Sequence, residues 1–323
     1  MAATATSETW DAAWTLSNRV DKGRLTDNIF DATPLLDRMR RKGALETEVG
    51  GKEIQENLLY GTNTLQWFAG YDQLNTDAVD GITAAFAPWR YASSPITISF
   101  TEEQENKKRS SALSLLQGKT QQTTKSIMTS VNAAIWSAQS GKSVLGMQDI
   151  IADVPTTGTV MGINRANETW WRNQTNASGG NFNGTSGDFY TGLTAMSAMY
   201  NNCSEGNTEP DHIWTTLTLF GELEEILEST GYARLTGGSG SAGVDASKPK
   251  FRKSVVNYDR DCPANRMYFH NYEHLKFKVQ KGVNFSKTPF QKPANQLAQV
   301  AFMVLGAQLI TNNPRRLGVI TFT

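Results

Sequence analysis

The sequence predicts an α+β fold from which part of the chain projects. Three stretches lead there: strand-like alternation over 44–101, a helical stripe over 102–140, and amphipathic helices interleaved with short strands over 188–281.

Residues 1–32 are polar with scattered aromatics, an arm that orders only against another surface. A short helix follows. Thr33 can cap it, Pro34 suits its first position, and Gly43 ends "PLLDRMRRK" after a basic last turn. From 44 to 101, "ALETEVGGKEIQENLLYG" and "GITAAFAPWRYASSPITISF" read as two long strands. The polar segment between them carries Trp67, Phe68 and Tyr71. A lone two-stranded hairpin is marginal in water, so these aromatics need a partner.

Residues 102–140 read as the longest helix, with Leu113, Leu116, Thr120, Thr124, Ile127, Val131, Ile135 and Ala138 on one stripe. The acidic "TEEQE" suits its start and Gly141 its end. "DIIADV" and "TGTVMGI" then read as short strands. In the second block Phe189, Leu193, Met196 and Tyr200 share one helical face, and Leu219, Leu223, Ile226 and Leu227 another, with Gly231 as the stop. Strand-like "HIWTT", "KSVVNY", "RMYFHNY" and "HLKFKVQ" accompany them, interrupted by the flexible "TGGSGSAGVDASKPK" at 236–250. The tail returns to strands in "AQVAFMVLGAQLIT" and "RLGVITF", with "NNPRR" as the turn.

Composition narrows the function classes. With 39% hydrophobic residues, the 323-residue chain can bury a sizeable core. Lys plus Arg and Asp plus Glu are both 31, so no global field draws the chain to nucleic acid or to an anionic membrane, and any DNA contact must be local. The basic clusters 38–42, 107–109, 248–253 and 315–316 each read as solvated faces when taken alone. Cys203 and Cys262 make no disulfide framework, which fits a reducing compartment. With no signal sequence and no apolar run beyond "VAFMVL", the chain reads as soluble, with no membrane partner.

Chemical motifs are weak. "SGKS" at 140–143 lacks the preceding glycine of a phosphate loop and follows a helix, so it reads as a helix stop. His270 and His274 have metal spacing only on a helix, and their stretch alternates like a strand and turn. Glu222, Glu224, Glu225 and Glu228 fall on the wet side of an amphipathic helix, and no Ser or Cys has a flanking base. No catalytic residue, cofactor or metal site is expected. Trp170 and Trp171 sit in a Gly/Asn/Thr-rich loop, where either a sugar or base stacks on them or a neighbouring surface buries them. The arm, unsupported hairpin, tryptophan pair and flexible loop together favour a protein that completes its burial by assembly.

In collinear order, "LTDNIFDATPLLDRMRRKG", "GGKEIQENLLYG", "QWFAGYDQL", the long helix, "DIIADVPTTGTVMGINRANETWWRNQ", "DHIWTTLTLFGELEEIL", "VVNYDRDCPANRMYFHNYEHLKFKV" and "QVAFMVLGAQLITNNPRRLGVITF" span nearly the whole chain. In that order the sequence resembles the major capsid proteins of tailed bacteriophages, of the Hong Kong 97-type fold.

The resemblance implies an N-terminal arm at 1–43, an extended loop at 44–101 lying over a neighbouring subunit, and a peripheral domain at 102–187 with a spine helix at about 104–140. An axial domain at 188–281 and a return to the peripheral domain at 282–323 would follow. It further implies self-assembly through pentamers and hexamers into an icosahedral shell around double-stranded DNA, in the virion, with assembly in the host bacterial cytoplasm. A portal, a decoration protein and a scaffolding protein are the implied partners. No scaffold-like charged helical segment precedes the arm, so scaffolding is expected from a separate protein or from a segment already removed. Trp67, Phe68, Tyr71, Trp170 and Trp171 become candidates for inter-subunit contact, and the tryptophan pair could instead pin the crossover between domains. Lys107, Lys108 and Arg109 become candidates for non-specific DNA contact on the inner face. Side-chain cross-linking does not carry over, because no motif identifies a pair; Lys52 is an available lysine only. The alternative reading is a carbohydrate-binding virion or surface protein with Trp67, Trp170 and Trp171 as platforms. An enzyme using scattered carboxylates ranks last.

Overall fold

The computed structural model describes residues 33–105, 109–180, 182, 189–229 and 249–322. The arm at 1–32, Gly231 and nearly all of the 236–250 loop lie outside them.

The first helix, α1 (Pro34–Arg41), buries Leu35, Leu36 and Met39 and leaves its arginines facing outward. Thr33 holds the capping position, but its side chain makes no cap hydrogen bond; its carbonyl accepts from the amide of Asp37 instead. Gly43, at φ 73°, turns the chain into β1 (Leu45–Glu48). Strands β2 (Glu53–Leu59) and β3 (Ile82–Pro88) pair with each other over seven residues, so the hairpin expected over 44–101 is confined to 53–88, and its two outer segments pair elsewhere. The chain then enters β4 (Arg90–Ser99).

Helical residues follow in α2 (Phe100–Glu105) and α3 (Arg109–Trp136). Leu116, Thr120, Thr124, Ile127, Val131 and Ile135 are buried as the stripe requires, but Ala138 is exposed and the helix ends before Gly141. The reason is competition for backbone groups. The Gln148 side chain donates to the Trp136 carbonyl (3.0 Å), and the Asp149 carboxylate accepts from the Gln139 amide (2.6 Å), so the chain peels away. Gly141, at φ 56°, serves the following turn, so "SGKS" is that turn: Ser140 and Ser143 bond each other.

The expected strand at "DIIADV" does not form: its first two residues end one helical turn, α4 (Met147–Ile150), and 151–154 are irregular. Asp149 accepts from the Gly146 amide (3.1 Å), and the buried Arg165 guanidinium donates to the carbonyls of Asp149 and Ile150. Local capping and a distant arginine therefore override the β-branched sequence. "TGTVMGI" does form a hairpin, β5 (Thr159–Val160) and β6 (Ile163–Asn164). Met161 and Gly162, both at positive φ, make its two-residue turn.

The remaining elements are β7 (Gln174–Asn176), α5 (Phe189–Cys203), β8 (His212–Thr215), α6 (Leu217–Ser229), β9 (Lys250–Phe251), β10 (Ser254–Tyr258), β11 (Arg266–His270), β12 (Leu275–Gln280), β13 (Ser286–Lys287), β14 (Ala298–Thr311) and β15 (Gly318–Thr321).

They build two main sheets. In the first, β14 is the hub: β4 pairs along most of one edge, β12 and β13 also pair with it, and β1 adds to β12 in parallel. The second is mixed and runs β7-β15-β11-β8-β10-β9. Sheet membership cuts across the expected boundary at 281/282. β12 belongs to the first sheet, whereas β15 and β7 join the second. Periodicity identifies a strand, but the choice of partner is non-local.

Helices α5 and α6 cover one face of the second sheet, where Met196, Met199, Leu223 and Ile226 meet Ile213, Val256, Phe269 and Ile320 in one core. Alternation sends Trp214 and Tyr268 to the other face, where both rings lie against Trp136 of α3. The second sheet is thus buried on both sides and joined to the larger core. Gly318 permits this packing, since a Cβ there would lie 2.5 Å from the Met199 sulfur.

Candidate assembly surface

The hairpin of β2 and β3 presents two different faces. Ile54, Leu58, Ala85 and Ala87 are buried on one; Leu59, Ile82 and Phe86 are exposed. Its ladder closes where the amides of Tyr60 (2.9 Å) and Gly61 (3.3 Å) both donate to the Gly81 carbonyl. A side chain at Gly81 would come within 2.8 Å of the Gly61 carbonyl oxygen, so close approach demands glycine here.

Beyond that closure the bonds among the described residues are short-range. Gln66 receives the Asn75 amide (2.9 Å) and donates to the Gln73 carbonyl (3.2 Å), while Asp72 receives the Ala69 amide (2.9 Å). Trp67 is 88% exposed and Phe68 63%, and Tyr71 is fully exposed. Residues 61–81 contain Asp72, Asp77 and Asp80 and no Lys or Arg. The tip is an acidic, aromatic projection whose aromatics are left uncovered by the described residues.

The tryptophan pair is placed differently. Trp171 lies in a 3-10 turn (Thr169–Trp171), is fully buried, and donates its indole N–H to the Val160 carbonyl (3.1 Å). It has no surface to offer a neighbour, so its candidacy as an inter-subunit contact gives way to the alternative of pinning the chain internally. Trp170 is half-buried, donates to Glu168 (2.5 Å), stacks on Tyr60 and meets Trp171 edge-on at 5.4 Å. The loop-like composition concealed this because the partners, Val160 and Tyr60, come from other elements.

Lys107 and Lys108 lie outside the described residues, and Arg109 is placed only as the first residue of α3. His270 is buried in β11 and His274 lies in the following turn against Asn312 (2.8 Å), so the two do not converge. Among the described residues no cluster of three His, Cys, Asp or Glu could hold a metal, and no helix is long and apolar enough to cross a membrane. Cys203 and Cys262 are buried free thiols; burial pushes Cys203 up to about 12 and Cys262 higher still, which makes them poor nucleophiles. Glu224 and Glu225 are exposed on α6, as the amphipathic pattern requires.

Sequence reading also passed over Arg165 and Lys278. Arg165 is buried, and loss of hydration lowers its pKa to about 10 despite the opposing Asp149 charge. Neither residue belongs to a local motif.

No family model matches the chain, and no curated protein matches it. Solved structures do. The capsid of cyanophage A-1(L) is similar at TM-score 0.63 and 14% identity, covering 88% of this chain and 92% of that one. The capsid of an empty GTA particle is similar at TM-score 0.58 and 10% identity, over 87% and 95%. The capsid of Myoviridae phage XM1 is similar at TM-score 0.56 and 11% identity, over 87% and 90%. The chain has the Hong Kong 97-type capsid fold.

Within this Hong Kong 97-type chain, Lys278 of β12 ties the root of the hairpin to the first sheet. Its ammonium pairs with Glu48 of β1 (3.0 Å) and with Glu56 of β2. Burial presses Lys278 toward neutrality, but the two carboxylates outweigh that effect and its pKa is raised. The root is therefore anchored while the tip stands free. Leu59, Leu65, Trp67, Phe68, Tyr71, Leu74 and Ile82, each more than half exposed, all lie on the hairpin.

Proposed function

We propose that the chain is the major capsid protein of a tailed double-stranded DNA phage. It self-assembles through pentamers and hexamers into an icosahedral shell that encloses the genome. The observation that carries this reading is an exposed aromatic tip on an anchored hairpin, in a chain whose fold is shared with phage capsids. Trp67, Phe68 and Tyr71 are the contact residues, buried when the tip meets a neighbouring copy. In this reading 44–101 is the extended loop, the α3 region and first sheet are the peripheral part, and the α5, α6 and second-sheet region is the axial part. The protein is structural rather than catalytic. Its other partners are a portal, a scaffolding protein, a decoration protein, and DNA held through phosphate contacts at Lys107, Lys108 and Arg109.

The carbohydrate-binding alternative needs a platform of three tryptophans. Only Trp67 is available, since Trp171 is buried and Trp170 is covered on one face by Tyr60.

Electron microscopy and sedimentation of the expressed chain test the proposal. Capsomer rings or closed particles are expected. A chain that stays monomeric with scaffold present and binds a glycan saturably would overturn it.

A further inference from the structure

A cleft of about 220 Å³ opens between β4 and the C-terminal half of α3, far above the ~10–15 Å³ that one water needs. It exists because the facing side chains are small. Ala92 and Ser94 of β4 face Ser126 and Ser130 of α3 where Ile96 and Ile98, farther along the same strand face, close the gap fully. Arg90 at the start of β4 and Lys142 in the loop after α3 also line it.

Its lining carries two cations, Arg90 and Lys142, and no Asp or Glu. Residues 90–99 and 109–148 contain no Asp or Glu, but they carry Arg90, Arg109, Lys119, Lys125 and Lys142. Lys119 is satisfied by Glu102 (2.8 Å). The side chains of Arg90 and Lys142 have no ion pair among the described residues, and the Arg90 Nε is buried without an acceptor. Ser126 and Ser130, one helical turn apart, line the same opening.

The site is also held in shape. The Gln308 side chain accepts from the Leu145 amide (2.7 Å) and donates to the Pro88 carbonyl (2.9 Å). One buried glutamine thereby links the loop bearing Lys142 to the approach to Arg90.

We propose that this cleft binds a small oxyanion of the phosphate class between Arg90 and Lys142, with Ser126 and Ser130 as further donors. The forked guanidinium suits two phosphate oxygens at once, and the ammonium supplies a point charge opposite. Free phosphate and a nucleic-acid backbone share this chemistry. The site stands independently of shell assembly.

The test is calorimetric titration of the full chain with inorganic phosphate, in chloride buffer at constant ionic strength. Saturable binding of one phosphate per chain is expected, weakened about tenfold or more in Arg90→Gln and in Lys142→Gln. Ser130→Leu fills the cleft while leaving both charges and should abolish binding; unchanged melting of that variant verifies its fold. Displacement of phosphate by a short DNA duplex would assign the natural ligand to a nucleic-acid backbone, and lack of displacement to free phosphate; both support the site. Absence of saturation, or unaltered affinity in Ser130→Leu, would overturn the proposal.

Discussion

The ring of Tyr60 stacks on Trp170 with centroids 5.0 Å apart and planes 12° from parallel. Tyr60 is the last residue before the hairpin tip, and Trp170 packs against the main core. The contact therefore fixes where the projection leaves the body. Tyr60→Ala should cost about 0.5–1.5 kcal/mol beyond lost area, a modest fall in melting temperature. It should also speed amide exchange in 53–60 and 81–88 relative to α3. Unchanged exchange there would show that Lys278 and the buried face of Ile54, Leu58, Ala85 and Ala87 suffice to anchor the root.

Trp171→Ala should be far more damaging, at roughly 3–5 kcal/mol in denaturant unfolding, because the side chain is fully buried and its indole bonds Val160. The loss belongs to the isolated chain, so it should be equally large before and after assembly.

Removing residues 62–80 should leave a folded chain, since Gly61 and Gly81 already approach closely enough for a tight turn. The shortened protein should melt like the full chain and form no stable shells, by sedimentation. Normal closed particles would remove the tip from the assembly surface.

Acid should destabilise the chain through His270. It is fully buried opposite His212 in the β8–β11 ladder, with Trp136, Tyr268 and Tyr272 around it. Burial first, and the His212 charge second, lower its pKa to about 3 from an ordinary 6.5. Its neutral form is the folded form. The associated stability is complete above about pH 6.5 and falls as pH drops toward 3, with a slope approaching ~1.4 kcal/mol per pH unit. His270→Phe should flatten that limb of the unfolding free energy against pH.

Lys278→Met should destabilise by about 1–3 kcal/mol, because Glu48 and Glu56 lose their shared cation but stay partly exposed and keep some hydration. Replacing all three with apolar residues should recover much of that loss in the same denaturation assay.

Local information determined a great deal of this molecule. The α1 start at Pro34, the buried stripe of α3, the paired faces of α5 and α6, the hairpin of β2 and β3 and the long β14 all follow from periodicity and punctuation, which depend on neighbours a few residues away. The exposure of Trp67, Phe68 and Tyr71 was legible for the same reason, since a polar two-stranded segment contains nothing to cover them. Only the tertiary structure decided the rest. Trp171 looks like a loop residue until Val160 and the core close over it, and "DIIADV" looks like a strand until Asp149 and Arg165 hold its start in a helical turn. β12 and β15 look interchangeable as strands until one pairs with β14 and the other with β11. In each case part of the deciding contact comes from another element, and its energy counts only once the fold has brought the two together.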